Sequence, residues 1–429
     1  MEYFANPARS GRSKVWGARE LYPYYAGYSE AFVADALRWV GEEGADFVLD
    51  PWNGAGTTTR VSQALMRNSI GYDLNPVMVI VAQAGLVARG DAPVILPLAR
   101  KMVEFCKDGK GLSNGFSRPL SLFLADGCAE VFSQIAFAIW EHLVGGEGER
   151  GGAGFGRVSP LPSLFFVGLF NVLRGLLEPL ATSNPTWIRI PSNEHDRIAA
   201  ASEYIFSAFV GEMERIASVI ERNSVFHDAA VVSKIGLADA RALPLDSGSV
   251  DAVVTSPPYC TRLDYARTTM PELLVLETLG LSVYKDVRNR LMGASTVRRG
   301  NSDLLRSQWG GECNRFLEKI YLHPSKASKT YYFDSHLAYF DDLYRSVVEI
   351  SRVLRSGARA CVVVQDSYYK DVHNDVPKIF SEMAKGTGLS VVKEFRYQKK
   401  KSMCSINSAS SAYRGRRSPT ESALLFIKE

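Results

Sequence analysis

The stretch LDPWNGAGTTT, Leu49 to Thr59, decides how the rest of the chain is read. It follows an apolar run, ADFVLD (45–50), and leads into RVSQALMRN, whose apolar spacing is helical. A strand, a glycine-rich turn and a helix in that order open a βαβ unit. Gly54 and Gly56 let the backbone approach a ligand closely, and Thr57 with Thr58 can cap the helix. The spacing is not a phosphate-binding P-loop, because no G-x-x-x-x-G-K-[ST] occurs and the lysine that would meet phosphates is missing. A lone G-x-G is as often a plain turn as a ligand loop, so the acids around it carry the weight. Asp50 ends the first run, and a second run, SIGYDLNP (69–76), ends on Asp73. An acid at the end of a second strand is well placed to accept from two ribose hydroxyls. With no cation poised for pyrophosphate, a nucleoside-like cofactor lacking phosphates fits better than a dinucleotide.

Three later runs extend the pattern. SVDAVVTSPPY (249–259) follows GLADARALPLD, and RACVVVQDSYY (359–369) follows the helical YFDDLYRSVVEISRVLRSG, which Gly357 is expected to cap. SALLFIKE (422–429) closes the set. Strands alternating with helices predict an α/β sheet of parallel strands, with ligands gathered at their carboxyl ends. Asp73 and Asp239 stand 166 positions apart, far more than one crossover needs. QAGLVARGDAPVILPLARKMVEFC, EVFSQIAFAIWEHL, SLFFVGLFNVLRGLLEPL and HDRIAAASEYIFSAFVGEMERIASVIERN all read as helical, with a glycine-rich tether at 145–156. The expected organisation is therefore a first part of the core (1–85), a helical insertion (86–230) that is a candidate for target recognition, and a second part of the core (231–429).

The bulk numbers fit this. A chain of 429 residues suggests two structural units, and 46% apolar with 22% charged residues is an ordinary globular composition. The N-terminus has no apolar signal core, and Leu161 to Leu180 is interrupted by Asn171, Arg174 and Glu178, so a buried helix is expected there rather than a membrane span. Six scattered cysteines without C-x-x-C and six histidines without H-x-x-x-H predict neither a metal site nor a disulfide framework, and a cytoplasmic setting. The net charge of +4 hides an asymmetry. Residues 281–330 carry ten Lys/Arg against four Asp/Glu, and residues 393–429 nine against three, which is the distribution a phosphate backbone would need.

The run Ser256-Pro257-Pro258-Tyr259 has a chemistry of its own. Standing alone, it is a rigid turn that stops a strand. Behind a cofactor loop it is suited to an exocyclic ring amine, a poor nucleophile whose lone pair is delocalised. Acceptors aimed at its two N–H bonds localise that lone pair, and the Ser256 hydroxyl and Pro257 carbonyl can supply them. Pro258 holds the carbonyl outward, and Tyr259 offers a face on which a base swung out of the duplex can stack. Cys260 suggests a covalent thiol, but a tyrosine separates it from the prolines, and packing is the better reading. SNPTW (183–187) reads as a turn, with contact to DNA open, and DSYYKD (366–371) is a candidate lining for a target-base pocket.

DPWNGAGTT resembles motif I of S-adenosylmethionine-dependent amino-group DNA methyltransferases, and TSPPY resembles their motif IV. LYPYYAGYSEAFVADAL (21–37) is similar to the motif X segment that precedes motif I, and ADARALPLDSGSVDAVVTSPPY to the run from motif III into the catalytic loop. The likeness covers 21–85 and 236–270 well, is looser over 331–429, and leaves the helical insertion uncovered. It implies a Rossmann-like class I methyltransferase sheet and S-adenosyl-L-methionine as cofactor. By residue, it implies that Trp52, Gly54, Gly56 and Thr57 line the methionine end, with Asp50 near the amino group. Asp73 would hold the ribose, Asp239 would reach the adenine amine, and Tyr24, within Tyr22 to Tyr25, would close over the carboxylate. Trp52 stands where phenylalanine is commoner, and Asn53 where a smaller or apolar residue is usual. In this family S-P-P-Y goes with cytosine N4, so the implied reaction is N4-cytosine methylation of double-stranded DNA. N6-adenine, an RNA methyltransferase and an inactive DNA-binding subunit are the alternatives. A restriction-modification setting with a cognate endonuclease is implied likewise. Candidate DNA contacts are Arg288, Arg290, Arg298 and Arg299 in the basic segment 265–335, and Lys399, Lys400, Arg414 and Arg416 in a basic loop between the last two strands.

Overall fold

The computed structural model describes residues 4–7, 20–23, 27–41, 47–109, 118–145, 152–182, 187–222, 231–260, 264–293, 307–398 and 419–429. Its strands are β1 (Phe47–Asp50), β2 (Asn68–Asp73), β3 (Ser233–Leu237), β4 (Val250–Thr255), β5 (Leu354–Gln365), β6 (Ser367–Tyr369), β7 (Val372–Asn374), β8 (Leu389–Gln398) and β9 (Thr420–Lys428). Seven of them form one sheet in the order β3-β2-β1-β4-β5-β9-β8. The five from β3 to β5 are parallel, whereas β9 runs antiparallel to both neighbours. The fold is a Rossmann-like α/β sheet, and the expectation of parallel strands is corrected at β9, the one strand of this sheet that runs against the others. α13 (Val376–Lys385) precedes β8, which keeps the parallel direction, and β9 returns from β8 as a hairpin strand that needs no crossover helix.

Alternation along the strands divides the core into layers. Val48, Val254 and Val363 face α1 (Glu30–Val40) and α2 (Thr57–Ala64), packing with Phe32, Leu37 and Val61. Leu49, Val253 and Val362 face the opposite side, where α11 (Gly310–Leu322), α12 (Phe333–Val353) and α13 (Val376–Lys385) bring Phe316, Phe340 and Phe380. The long link between β2 and β3 holds α3 (Pro76–Ala84), α4 (Ala92–Lys107), α5 (Asp126–Ile139), α6 (Pro160–Leu176) and α7 (Ser202–Arg222). These helices share a third apolar cluster that also takes in α9 (Met270–Thr278). The helices of 86–230 thus join the core through α3 and α9. The stretch expected to be a buried helix is α6, whose Leu164, Phe165, Phe166 and Phe170 are all fully buried. Among the described residues, no single helix is long and apolar enough to cross a membrane.

Two boundaries differ from expectation. The helix before β5 ends at Val353, and Gly357 lies inside β5 with φ 78°. There the register with β4 slips, from Val250 opposite Leu354 to Ala252 opposite Arg359, so the glycine serves a bulge and not a helix cap. The run 359–369 is not one strand. It leaves the sheet at Asp366, and Ser367–Tyr369 pairs with Val372–Asn374 in a small hairpin that turns at Lys370.

Candidate active site

The carboxyl ends of β1, β2, β4 and β5 open on one edge of the sheet, and the residues singled out at 50–59, 73 and 256–259 meet there. Asp50 is 1% exposed and takes no outward position. Its Oδ2 accepts from the hydroxyls of Tyr28 (2.8 Å) and Thr58 (2.5 Å), and its Oδ1 from Thr255 Oγ1 (2.6 Å) and the Trp52 N–H (3.1 Å). This buried carboxyl ties the glycine turn, the segment before α1 and the end of β4 together. Burial raises its pKa, against the lowering effect of those hydrogen bonds. The sequence placed Asp50 near a cofactor amino group. In the structure it is sealed from solvent beneath four internal donors, whereas Asp73 is partly exposed, so Asp50 positions the turn.

The turn differs in detail from its first reading. Gly56, at φ 76°, is the N-cap of α2, and a Cβ on it would lie 2.9 Å from the Ala82 Cβ on α3. Its close approach is to a helix, not to a ligand. Thr57 begins α2, but no side chain caps the helix; Thr58 bonds to Asp50, and Thr59 donates to the Gly56 carbonyl. Substituting Gly56 by alanine should therefore cost about 2–3 kcal/mol through strain and overpacking. Urea denaturation tests this, since a lowered midpoint with an unchanged slope is expected.

Gly54, at φ 50°, donates its N–H to Asp73 Oδ2 at 2.9 Å, and the Asn75 N–H donates to Oδ1 at 2.8 Å. Burial lifts the Asp73 carboxyl to about 6 even with those donors. A carboxylate acceptor held at this turn suits the hydroxyls of an uncharged nucleoside. Arg60, the nearest cation along the turn, is buried and paired to Glu30 at 3.0 Å. Trp52 is half-buried beside the same edge. Asp239 is otherwise engaged than expected, because Arg241 donates to both its oxygens at 2.8 and 2.6 Å and also to Asp342 at 2.6 Å. Burial alone would raise the Asp239 pKa, but Arg241 holds it below the ordinary value. Its carboxylate is shared with Arg241, which the sequence reading did not foresee. Tyr22 donates to the buried Glu272 at 3.0 Å and so belongs to the helical core, while Tyr24 lies outside the described residues.

The catalytic-loop candidate is held from several sides. Ser256 Oγ donates to the Val363 carbonyl of β5 at 2.9 Å. Tyr339 on α12 donates to the Pro258 carbonyl at 2.8 Å, and the Tyr259 N–H reaches the Tyr265 hydroxyl at 3.4 Å. Tyr265 starts α8 (Tyr265–Thr268). Pro257 is buried and Tyr259 half-buried. Burial pushes the Cys260 thiol up to about 12, so it is protonated and no nucleophile at neutral pH. Beyond the loop, Arg267 lies over the Trp187 ring at 4.4 Å, and Ala181 bridges Ile188, while 183–186, expected to form a turn, lie outside the described residues. In the DSYYKD segment, Asp366 accepts from the Thr420 N–H and pairs with His373, and Tyr369 is buried.

The basic candidates divide. Arg288 is engaged with Asp264, the cap of α8, at 2.9 Å, so it braces the catalytic loop instead of reaching freely for phosphate. Arg290, at the end of α10 (Tyr284–Arg290), is exposed. Arg298, Arg299, Lys399, Lys400, Arg414 and Arg416 lie outside the described residues. Sequence reasoning missed Tyr28, Thr255, Tyr265 and Tyr339. Tyr28 and Thr255 at least adjoin the motifs, whereas nothing local marks Tyr339.

Comparison with known proteins bears on this edge. Residues 13–84 match the N6_N4_Mtase family model, described as DNA methylase. The match spans the segment from before α1 to the end of α3, including the glycine turn, and supports S-adenosylmethionine as the methyl donor. The chain is also 27% identical over 187 residues to the Type II methyltransferase M.AvaI of Nostoc sp. (strain PCC 7120 / SAG 25.82 / UTEX 2576), and equally to that of Anabaena variabilis. Each alignment takes in 40% of this chain, which spans only 38% of the length of these curated relatives. Among solved structures, the rRNA methyltransferase aviRa from Streptomyces viridochromogenes is 11% identical, with 94% of this chain and 87% of that one covered and a TM-score of 0.29. At that score the likeness adds nothing to the argument.

Proposed function

We propose that this chain is a site-specific DNA methyltransferase that transfers a methyl group to the exocyclic N4 amine of a flipped cytosine, in a restriction-modification setting with a cognate endonuclease. The observation that carries the reading is the Ser256 hydroxyl. Its oxygen is fixed by donation to the Val363 carbonyl and by its bond with the Tyr259 phenol, and a remaining lone pair accepts from an amine in front of the loop. When bound, S-adenosylmethionine supplies an electrophilic sulfonium methyl. Ser256 and the Pro257 carbonyl draw the amine toward tetrahedral geometry, and the proton leaves to solvent after transfer, so no strong base is needed. Tyr259 stacks on the extruded base, and the fixed loop supplies alignment. Asp73 accepts from the ribose hydroxyls, and Trp52 with Gly54 flanks the methionine end. The DNA methylase match and the Type II methyltransferase relatives support double-stranded DNA as substrate. The basic surplus in 281–330 and 393–429 suits its backbone. The test is radiolabelled methyl transfer to duplex DNA, followed by nuclease digestion and mass analysis of the modified nucleoside. N4-methylcytosine is expected, and N6-methyladenine or 5-methylcytosine overturns the assignment.

The Asp73 pKa gives a pH prediction. Its folded value, about 6, lies above the ordinary 3.8, so its contribution to stability of the free protein is full below 3.8 and is lost as pH rises through 6. Ribose binding has the opposite sign, since it needs the ionised acceptor. Cofactor affinity measured by calorimetry between about pH 5 and 8 should weaken as pH falls through 6. Asp73→Asn should lower affinity throughout and flatten that dependence.

A further inference from the structure

The last strand contributes a side chain to the catalytic loop that no motif marks. The phenol of Tyr259 donates to Glu421 Oε1 at 2.9 Å, across 162 positions of sequence. Glu421 sits on β9 between Gln365 of β5 and Tyr397 of β8 in register, and is 5% exposed. It is an acid in the middle of the sheet, with paired strands on both sides. A buried carboxyl is costly unless it is bonded, and an apolar residue would fill a sheet position without that cost. The Tyr259 ring is meanwhile half-buried, and the backbone around it is held by Tyr265 and Tyr339. Those two contacts fix where the main chain runs, while the ring is held through its phenol, which bonds the Ser256 side chain as well as Glu421. The Glu421 contact anchors the far end of the ring from a separate strand.

We infer that Glu421 is a positioning residue for the target base, locking the Tyr259 ring at the tilt required for stacking. The inference rests on the proposed reaction, in which Tyr259 faces the flipped base. Stacking tolerates lateral offset but not a rotated ring plane, so an untied ring would still admit the base while presenting its amine to Ser256 less often. The lock therefore acts on the rate of transfer and not on the capture of cofactor. In register, Leu424 is level with Thr255 at the end of β4, and Glu421 lies three residues beyond it, alongside Gln365 and the loop that follows β4.

The experiment compares wild type with Glu421→Ala, Glu421→Gln, Tyr259→Phe and the double variant Tyr259→Phe/Glu421→Ala. Single-turnover transfer, S-adenosylmethionine affinity by calorimetry and thermal unfolding are read on each. Glu421→Ala and Tyr259→Phe should each slow transfer about tenfold, with cofactor affinity within about twofold of wild type. Glu421→Gln, which keeps an acceptor, should recover most of the rate, and the double variant should be no slower than either single one. Multiplying losses, or a wild-type rate in Tyr259→Phe, overturns the inference. Tyr259→Phe deletes one oxygen, so it remains decisive should Glu421→Ala fail to fold. A wild-type protein that methylates no DNA overturns the proposed function instead, which separates the two failures.

Discussion

Replacing Ser256 by alanine is expected to slow single-turnover methyl transfer by about 100- to 1000-fold, the range seen when one preorganised hydrogen-bonding group is taken from a site of developing charge. S-adenosylmethionine affinity should stay within about twofold of wild type, because Ser256 donates to Val363 on β5, whereas the glycine turn is tied to the Asp73 carboxyl. The alanine fits the same backbone, and Tyr339 still holds the Pro258 carbonyl, so the loop keeps its course. What disappears is the acceptor whose geometry β5 fixes. Filter-binding of radiolabelled methyl groups gives the rate, and calorimetry the affinity. Equal losses in both would contradict the assigned role, because they would mean that the hydroxyl supports the pocket as a whole.

The second large effect concerns stability. Asp50→Ala removes the acceptor on which Tyr28, Thr58, Thr255 and the Trp52 N–H converge. A buried donor left without a partner costs about 1–3 kcal/mol. Simple addition over these groups overshoots, because Tyr28 and Thr58 each keep a long contact to the Val254 carbonyl at 3.4 Å. Removing a carboxyl whose pKa burial has raised also returns part of its desolvation cost. The net expectation is a loss of about 3–5 kcal/mol in chemical denaturation. Asp50→Asn keeps one acceptor oxygen and should lose about half as much. A loss below about 1 kcal/mol for alanine would show that the network is ornamental to the fold.

Much of this was legible in advance, and the limits are instructive. The strands around Asp50, Asp73 and Thr255 could be read because short apolar runs bounded by glycine, proline and acids are local signals. So could the meeting of LDPWNGAGTTT and TSPPY on one edge, since both follow parallel strands. What could not be read was which partner each polar side chain takes. Asp50 and Asp73 look alike in sequence, yet one is sealed under three hydroxyls and the other sits at the turn with a pKa near 6. Asp239 looks available until Arg241, two residues on, folds back onto it. Gly56 and Gly357 each have positive φ, but one is there for Ala82 and the other for a bulge, and only tertiary contacts distinguish them. The direction of β9 was invisible for the same reason, because alternation is identical in parallel and antiparallel strands.

The Asp50 hub also sets a timetable. Asp50 and Thr255 are 205 positions apart, and β4, the second neighbour of β1, reaches the sheet only after the whole helical crossover has been made. At ribosomal speeds of roughly 5–20 residues per second, that interval is about 10–40 s. Through it the growing chain carries Tyr28, Asp50 and Thr58 with one place at the carboxyl empty, and Val48 and Leu49 with an unpaired edge. An unpaired apolar edge is where newborn chains stick to one another. Translation speed across the crossover, and any chaperone that shields β1 during it, should therefore govern how much of this protein reaches its native state.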